Sequence, residues 1–154
     1  MSQESVRYDT LMHMVNEQLD KLSNKAAKQM RSTLEGVKEF HEAFGHPVKD
    51  SPDVSDHALN ELRVKLIQEE LDELKEALTE QSKVETLDAL LDIQYVLDGA
   101  FLALGFHRVK MEGFRRVHES NMSKLGPDNK PILREDGKVQ KGPDFKPVDL
   151  KDLC

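Results

Sequence analysis

The chain has 154 residues, enough for one domain with one substantial core and too few for two. Its formal net charge of −7 excludes a general nucleic-acid-binding face, which needs basic surface, and leaves a single nucleotide as a partner only if cations intervene. Charged residues make up 33% and aromatics 5%, with no Trp and one cysteine, Cys154, so the composition favours an all-α protein without intrachain disulfides, suited to the reducing cytoplasm.

The opening MSQESVRYDT lacks the basic segment and apolar run of a signal peptide. Tyr8, Leu11, Val15, Leu19 and Leu22 recur at helical spacing, which predicts an amphipathic helix within residues 1–30 as an N-terminal extension. A second helix is expected over Thr33–Phe44, with Leu34, Val37, Phe40 and Phe44 on one side and Gly45 then Pro47 as its stop. Residues 46–55 read as loop. The third helix, Asp56–Thr79, carries an apolar row through Leu59, Leu62 and Leu66 towards Leu71, Leu74 and Leu78. After a short connection at 80–82, the stretch from Leu87 to Gly105 is apolar nearly all round apart from Asp88, Asp92 and Asp98, the pattern of a central, buried helix that the aspartates keep from being a membrane span. A fifth helix is expected over 109–124, and the glycines and prolines beyond it make 125–154 a loop-rich tail with room for one hairpin. The expected architecture is all-α: one domain over 1–154, a four-helix-bundle-like core with an extra N-terminal helix and an irregular tail.

Carried onward, the inner row of the third helix meets Glu70 and Glu73 where the pattern calls for leucine. With the turn centred near Gln81, Glu73 lies eight residues before it and Asp88 seven after, and Glu70 and Asp92 are each eleven away. The four carboxylates should therefore face each other in two layers. Ionised carboxylates there cost several kcal/mol unless paired or bound to a cation, roughly the scale known for buried ions. Basic residues are missing from the inner faces nearby, so hard divalent cations, Mg²⁺ first and Mn²⁺ as its substitute, are the expected partners. The single terminal cysteine and the absence of a histidine at helix spacing with these acids argue against zinc. Glu69, Asp72, Glu76 and Glu80 read as a solvated face, although Glu69 could serve the site from its edge. Asp98 falls level with Val64, with no acidic partner, and reads as a structural hydrogen-bonding residue or helix–helix contact.

The segments RVKLIQEELDELKEAL, LDALLDIQYVLDGAFLALG and VHESNMSK, followed by GKVQKGPDFKPV, resemble the MazG and phosphoribosyl-ATP pyrophosphohydrolase superfamily of all-α NTP pyrophosphatases over roughly residues 33–148. The specific elements are Glu69-Glu70-x-x-Glu73 and a second acidic pair on the next helix. The superfamily spells that pair Glu-x-x-Asp, which Glu85-Thr-Leu-Asp88 satisfies; Asp88 and Asp92 satisfy the register, and residues 85, 88 and 92 share one face. The resemblance implies Mg²⁺-dependent cleavage between the α and β phosphates of a nucleoside triphosphate, giving monophosphate and pyrophosphate. Glu70, Glu73, Asp88 and Asp92 are then the expected metal ligands, and Glu69 or Glu70 the residue that orients or deprotonates water.

For substrate contact the candidates are Asn121 and Lys124 in SNMSK and Lys141 in the tail, against the plainer reading of a polar helix end and an exposed lysine. Phe40 and His41 could line a base pocket; a core Phe beside a surface His is the alternative. His118 reads as a helix-end or subunit contact, and His13, His46, His57 and His107 form no constellation. Apolar faces in excess of what one thin bundle buries predict a homodimer or homotetramer. Competing functions are phosphoribosyl-ATP hydrolysis itself and a non-catalytic helical interaction module. A di-iron bundle would need Glu-x-x-His motifs that Glu70 and Glu73 do not supply.

Overall fold

A computed structural model describes residues 12–21 and 32–154. Of the predicted N-terminal helix, residues 12–21 are helical and exposed, and the remainder lies outside the described residues. Four longer helices follow: α1 Thr33–Phe44, α2 His57–Thr79, α3 Lys83–Ala103 and α4 Lys110–Met122, with a short 3₁₀ turn at Lys151–Leu153. Among the described residues the only strand-like pairing is an isolated antiparallel bridge between Leu133 and Val139 in the tail.

The caps explain the helix boundaries. Ser32 and Glu35 form a reciprocal capping box on α1, with the Ser32 Oγ accepting from Glu35 N at 3.2 Å and a Glu35 carboxylate oxygen accepting from Ser32 N at 2.9 Å. Asp56 caps α2 by accepting from Leu59 N at 3.0 Å, and Ser82 caps α3 by accepting from Glu85 N at 3.3 Å. Between α2 and α3 the chain reverses at Gln81, whose φ of 56° is left-handed. The turn centre expected from the sequence is thus where the backbone folds back.

α2 and α3 pack as an antiparallel hairpin, and α1 lies against α3. The buried hydrophobics are Val37, Ala77, Ala89, Ala100, Leu102 and Ala103, mostly small, which lets the backbones approach closely. The loop after α1 closes over the C-terminal end of α3: Lys49 N donates to Leu102 O and Asp53 N to Leu104 O, both at 3.0 Å, satisfying carbonyls that the helix leaves open. Gly105 has φ 79° at this junction, and a Cβ there would collide with the Ser51 carbonyl. Asp98, fully buried, accepts from Gln94 Nε2 at 2.9 Å and pairs with Lys110 at the start of α4. This is the structural role its position suggested.

Two expectations about packing are corrected. The inner row of α2 passes through Arg63, 6% exposed, while Leu62 is 46% exposed, because the face of α2 towards α1 and α3 is rotated by about one residue from the leucine row. And α3 is central only over its second half: Leu87, Leu90 and Leu91 are 50–59% exposed, since one chain offers the first half of α3 only α2 as a neighbour.

Candidate active site in the helical hairpin

Because Gln81 sets the register, α2 and α3 bring the predicted acids together towards the turn of the hairpin, the half of it that is open to solvent. A cleft of about 460 Å³ is lined by Glu73, Glu76, Ala77, Glu80, Glu85, Asp88 and Ala89. One layer further from the turn, Glu70 and Asp92 are half-buried while Glu73 and Asp88 are exposed. The Glu70 carboxyl is pushed above the usual glutamate range, first by burial and then by the charges of Glu73, Asp92, Glu69 and Asp88. All four quartet members, Glu70 included, thus lie within one electrostatic neighbourhood. Glu85 is absent from the charges acting on Glu70, but it lines the same cleft as Glu73 and Asp88.

Among the described residues no cation pairs with Glu70, Glu73, Asp88 or Asp92; the neighbouring Glu69 is exposed and faces Lys65 Nζ at 3.3 Å, and Asp72 accepts from Lys75. This separates the quartet from Glu69 and Asp72, whereas Glu76 and Glu80, expected on a solvated face, line the cleft and have no cation partner among the described residues. The donor set is all oxygen, uncompensated and partly open to solvent, which suits a hard divalent cation. Among the described residues no three carboxylates, histidines or cysteines converge closely enough to hold a metal as they stand, so a metal held by the quartet would require its side chains to rotate. Mutual repulsion favours the splayed arrangement.

The substrate candidates divide. Phe40, 37% exposed, stacks on Phe44 with ring centroids 4.4 Å apart, lies 5.7 Å from the His46 ring, and meets Tyr95 edge-on at 5.7 Å. Tyr95 stands three residues beyond Asp92 on α3, so a partly exposed aromatic surface adjoins the acids. His41 is corrected: it is 2% exposed, in the core, with Nδ1 2.9 Å from Pro47 O, because its position on α1 faces α3 at Gly99. Burial first, and the charge of Arg63 next among the lowering effects, hold its pKa below the ordinary histidine value.

Asn121, Lys124 and Lys141 are not brought to the acids by any contact in the structure. Lys124 Nζ donates to Asn121 Oδ1 at 2.6 Å, and Lys141 Nζ lies 4.5 Å above the Phe145 ring. The SNMSK segment instead anchors the tail through its serines: Ser120 Oγ donates to Lys146 O and Lys146 N donates to Ser123 Oγ, both at 2.8 Å. Gly142 packs directly on the Leu125 carbonyl, and Arg116 reaches Asp152 and Asp149 O. Arg63 and Tyr95 were missed by the sequence reading. Arg63 shares the 63–70–77 face of α2 with Glu70 and Ala77, and its charge hides that face from a search for apolar rows.

The chain is all-helical, and its two-helix hairpin gathers carboxylates that have no cation partner among the described residues around a half-buried glutamate. Residues 37–121, more than half of the chain, match the phosphoribosyl-ATP pyrophosphohydrolase family, and the protein belongs to that pyrophosphohydrolase-type family, within the MazG-like all-α NTP pyrophosphatase superfamily. It is also similar to uncharacterized protein L479 of Acanthamoeba polyphaga mimivirus, at 32% identity over 114 residues. That match covers 68% of this chain and 44% of the relative, so the chain spans less than half the relative's length. No helix among the described residues is long and apolar enough to cross a membrane.

Proposed function

We propose that the protein is a divalent-cation-dependent pyrophosphohydrolase that takes a nucleoside triphosphate and water to the monophosphate and pyrophosphate. The observation that carries this reading is Glu70, half-buried among four further carboxylates with no cation partner among the described residues. Glu70, Glu73, Asp88 and Asp92 would hold Mg²⁺, or Mn²⁺ in its place, which supplies neutralisation of the phosphate charge when bound. Glu70, whose carboxyl binds a proton more readily than an ordinary glutamate, accepts the proton of the attacking water, and Glu69 supports it from the edge. The aromatic surface of Phe40 and Tyr95 takes the base by stacking, which tolerates any nucleobase.

A second reading, hydrolysis of phosphoribosyl-ATP, cleaves the same kind of bond and is favoured by the description of the matched family. A panel of canonical and modified triphosphates with phosphoribosyl-ATP, assayed for pyrophosphate release with Mg²⁺, distinguishes the two. Orthophosphate as product, or full activity in EDTA, refutes both.

The assembly is a homodimer or homotetramer. Leu87, Leu90 and Leu91 are half or more exposed on α3, and Met111 and Phe114 are exposed on α4, apolar surface of the kind that self-association covers. A monomer mass by light scattering at micromolar concentration counts against it.

A further inference from the structure

Arg63 is a cation in the core with no carboxylate to neutralise it among the described residues. It is 6% exposed, its Nε is shut off from solvent without an acceptor, and no carboxylate among the described residues pairs with it. The side chains that approach it do not help. His41 lies across from it where α1 meets α3: a Cβ added to Gly99 would sit 3.0 Å from His41 Nε2 and 3.4 Å from Arg63 Nη1. With its Nδ1 donating to Pro47 O, a neutral His41 offers only a lone pair on Nε2 and no negative charge. Burial leaves the Arg63 guanidinium below its ordinary pKa, with no compensating charge acting on it.

An unpaired guanidinium at this depth is unfavourable, and a neutral acceptor would satisfy its N–H groups without cancelling the charge. An oxyanion does both, and the planar fork of arginine matches phosphate oxygens two at a time. The location adds direction. Arg63, Glu70 and Ala77 repeat at seven-residue steps along one face of α2, which places the cation about 10 Å along the helix from the central glutamate, on the inner side. Gly99, facing Arg63, is seven residues beyond Asp92 on α3, so the same offset holds on both arms of the hairpin.

We infer that Arg63, with His41 beside it, is a binding site for a phosphate-type oxyanion, two helical turns from the acid quartet. Either a phosphate of the nucleotide or a free inorganic anion would supply that chemistry. Assigning it to the nucleotide rests on the proposed hydrolase reading; the site itself does not.

The test uses the full chain in EDTA, so that no metal site and no turnover contribute. Inorganic phosphate is titrated into ¹⁵N-labelled protein while the Arg63 Nε–H and the amides around His41 and Gly99 are followed by NMR. Saturable shifts at these groups are expected, with at least a ten-fold loss of affinity in Arg63→Met and a smaller loss in Arg63→Lys. Arg63→Met should melt no lower than wild type without phosphate, since it removes an unpaired buried charge, and should lose the rise in Tm that phosphate gives wild type. Should Arg63→Met not fold, Arg63→Gln is titrated in its place. Absence of saturable shifts in wild type, or equal phosphate affinity in the charge-free variant, overturns the inference. Displacement of bound phosphate by a nucleoside triphosphate assigns the anion to the substrate, and binding of both together assigns a free anion. A dead hydrolase that still binds phosphate through Arg63 would refute the proposed reaction and leave this site standing.

Discussion

If Asp92 completes the carboxylate quartet, Asp92→Asn should uncouple the protein from Mg²⁺ while leaving the fold intact. Asp92 and Glu70 lie eleven residues on either side of Gln81, whose left-handed φ of 56° fixes the turn, and the Asp92 charge is among those that push the Glu70 carboxyl up. Glu85 lines the cleft that Glu73 and Asp88 also line, but it is not among the charges acting on Glu70. A cation bound to the native state at about one hundred times its Kd stabilises by about 2.7 kcal/mol. For a chain of this size that raises Tm by about 5–11 °C, at about 2–4 °C per kcal/mol. Asparagine keeps the shape and drops the charge, so the variant should lose most of that rise and lower turnover on the order of 100-fold or more, at or beyond the upper end of what even outer-shell changes cost metal sites. Its metal-free Tm should hold or increase, because one repelling charge has left the cluster. Glu85→Gln should change neither quantity by more than about two-fold or 2 °C, a surface-sized effect. The assay is turnover against Mg²⁺ concentration together with melting in EDTA and in saturating Mg²⁺. An active Asp92→Asn beside a dead Glu85→Gln would refute the register argument and restore the Glu-x-x-Asp spelling.

Removing Lys110 as Lys110→Met strands the fully buried Asp98 and should cost about 3–5 kcal/mol in urea unfolding, while adding Asp98→Asn should recover much of it; equal losses in single and double variants would deny the pair its role. Gly105→Ala should lower stability by about 2–4 kcal/mol through its left-handed φ and the collision with Ser51, whereas Gly137→Ala, with φ 78° but open space around it, should cost about 1 kcal/mol; similar Tm losses would refute the steric argument. Glu70 and Glu112 should titrate with opposite sign in EDTA. With its folded pKa raised, ionised Glu70 opposes folding, so the stability gained by Glu70→Gln should grow as pH rises above about 4.5 and vanish below it. Glu112, held down to about 2 by Arg115 and Arg116, stabilises above its ordinary value of 4.5 and loses that contribution as pH falls towards 2, so Glu112→Gln should show a small, salt-screened loss at neutral pH only.

What could be read from the sequence was whatever depends on period and turn chemistry. Ser32, Asp56, Ser82 and Gly45 mark helix ends through local hydrogen bonds and a left-handed φ, and these do not depend on the rest of the fold. The hairpin register followed from a three-residue connection alone, and with it the grouping of Glu70, Glu73, Asp88 and Asp92. Which face of α2 is inward could not be read, because leucines and Arg63 compete for it and a buried arginine violates the pattern used to find the core. His41 failed for the same reason: its burial depends on Gly99, on another helix, leaving space. The SNMSK serines bond to Lys146, more than twenty residues away, a pairing that no local periodicity encodes.

Burial along α3 separates stability from chemistry. Asp98, Gly99, Ala100, Leu102 and Ala103 form an unbroken buried run apart from Phe101, enclosed by α1, α2 and the loop at 46–55. Towards its N-terminus the same helix exposes Leu87, Leu90 and Leu91 on one side and Asp88 on the other, with Asp92 half-buried. A carboxylate quartet could not survive at the first end without a counter-charge, and there the one aspartate present has Lys110. At the open end solvent screens the acids enough for the metal-free chain to fold, yet Glu70 is buried enough to have its carboxyl pushed up. The apolar and acidic sides of that open half belong to one helical segment. An assembly that covers the leucines would therefore also exclude water around Glu70 and Asp92, raising their mutual repulsion and the affinity for a cation together. On this argument Mg²⁺ should bind more tightly to the assembled protein than to a chain kept monomeric by Leu87→Lys and Leu91→Lys; equal affinity in calorimetric titrations of the two would show that the two sides act independently.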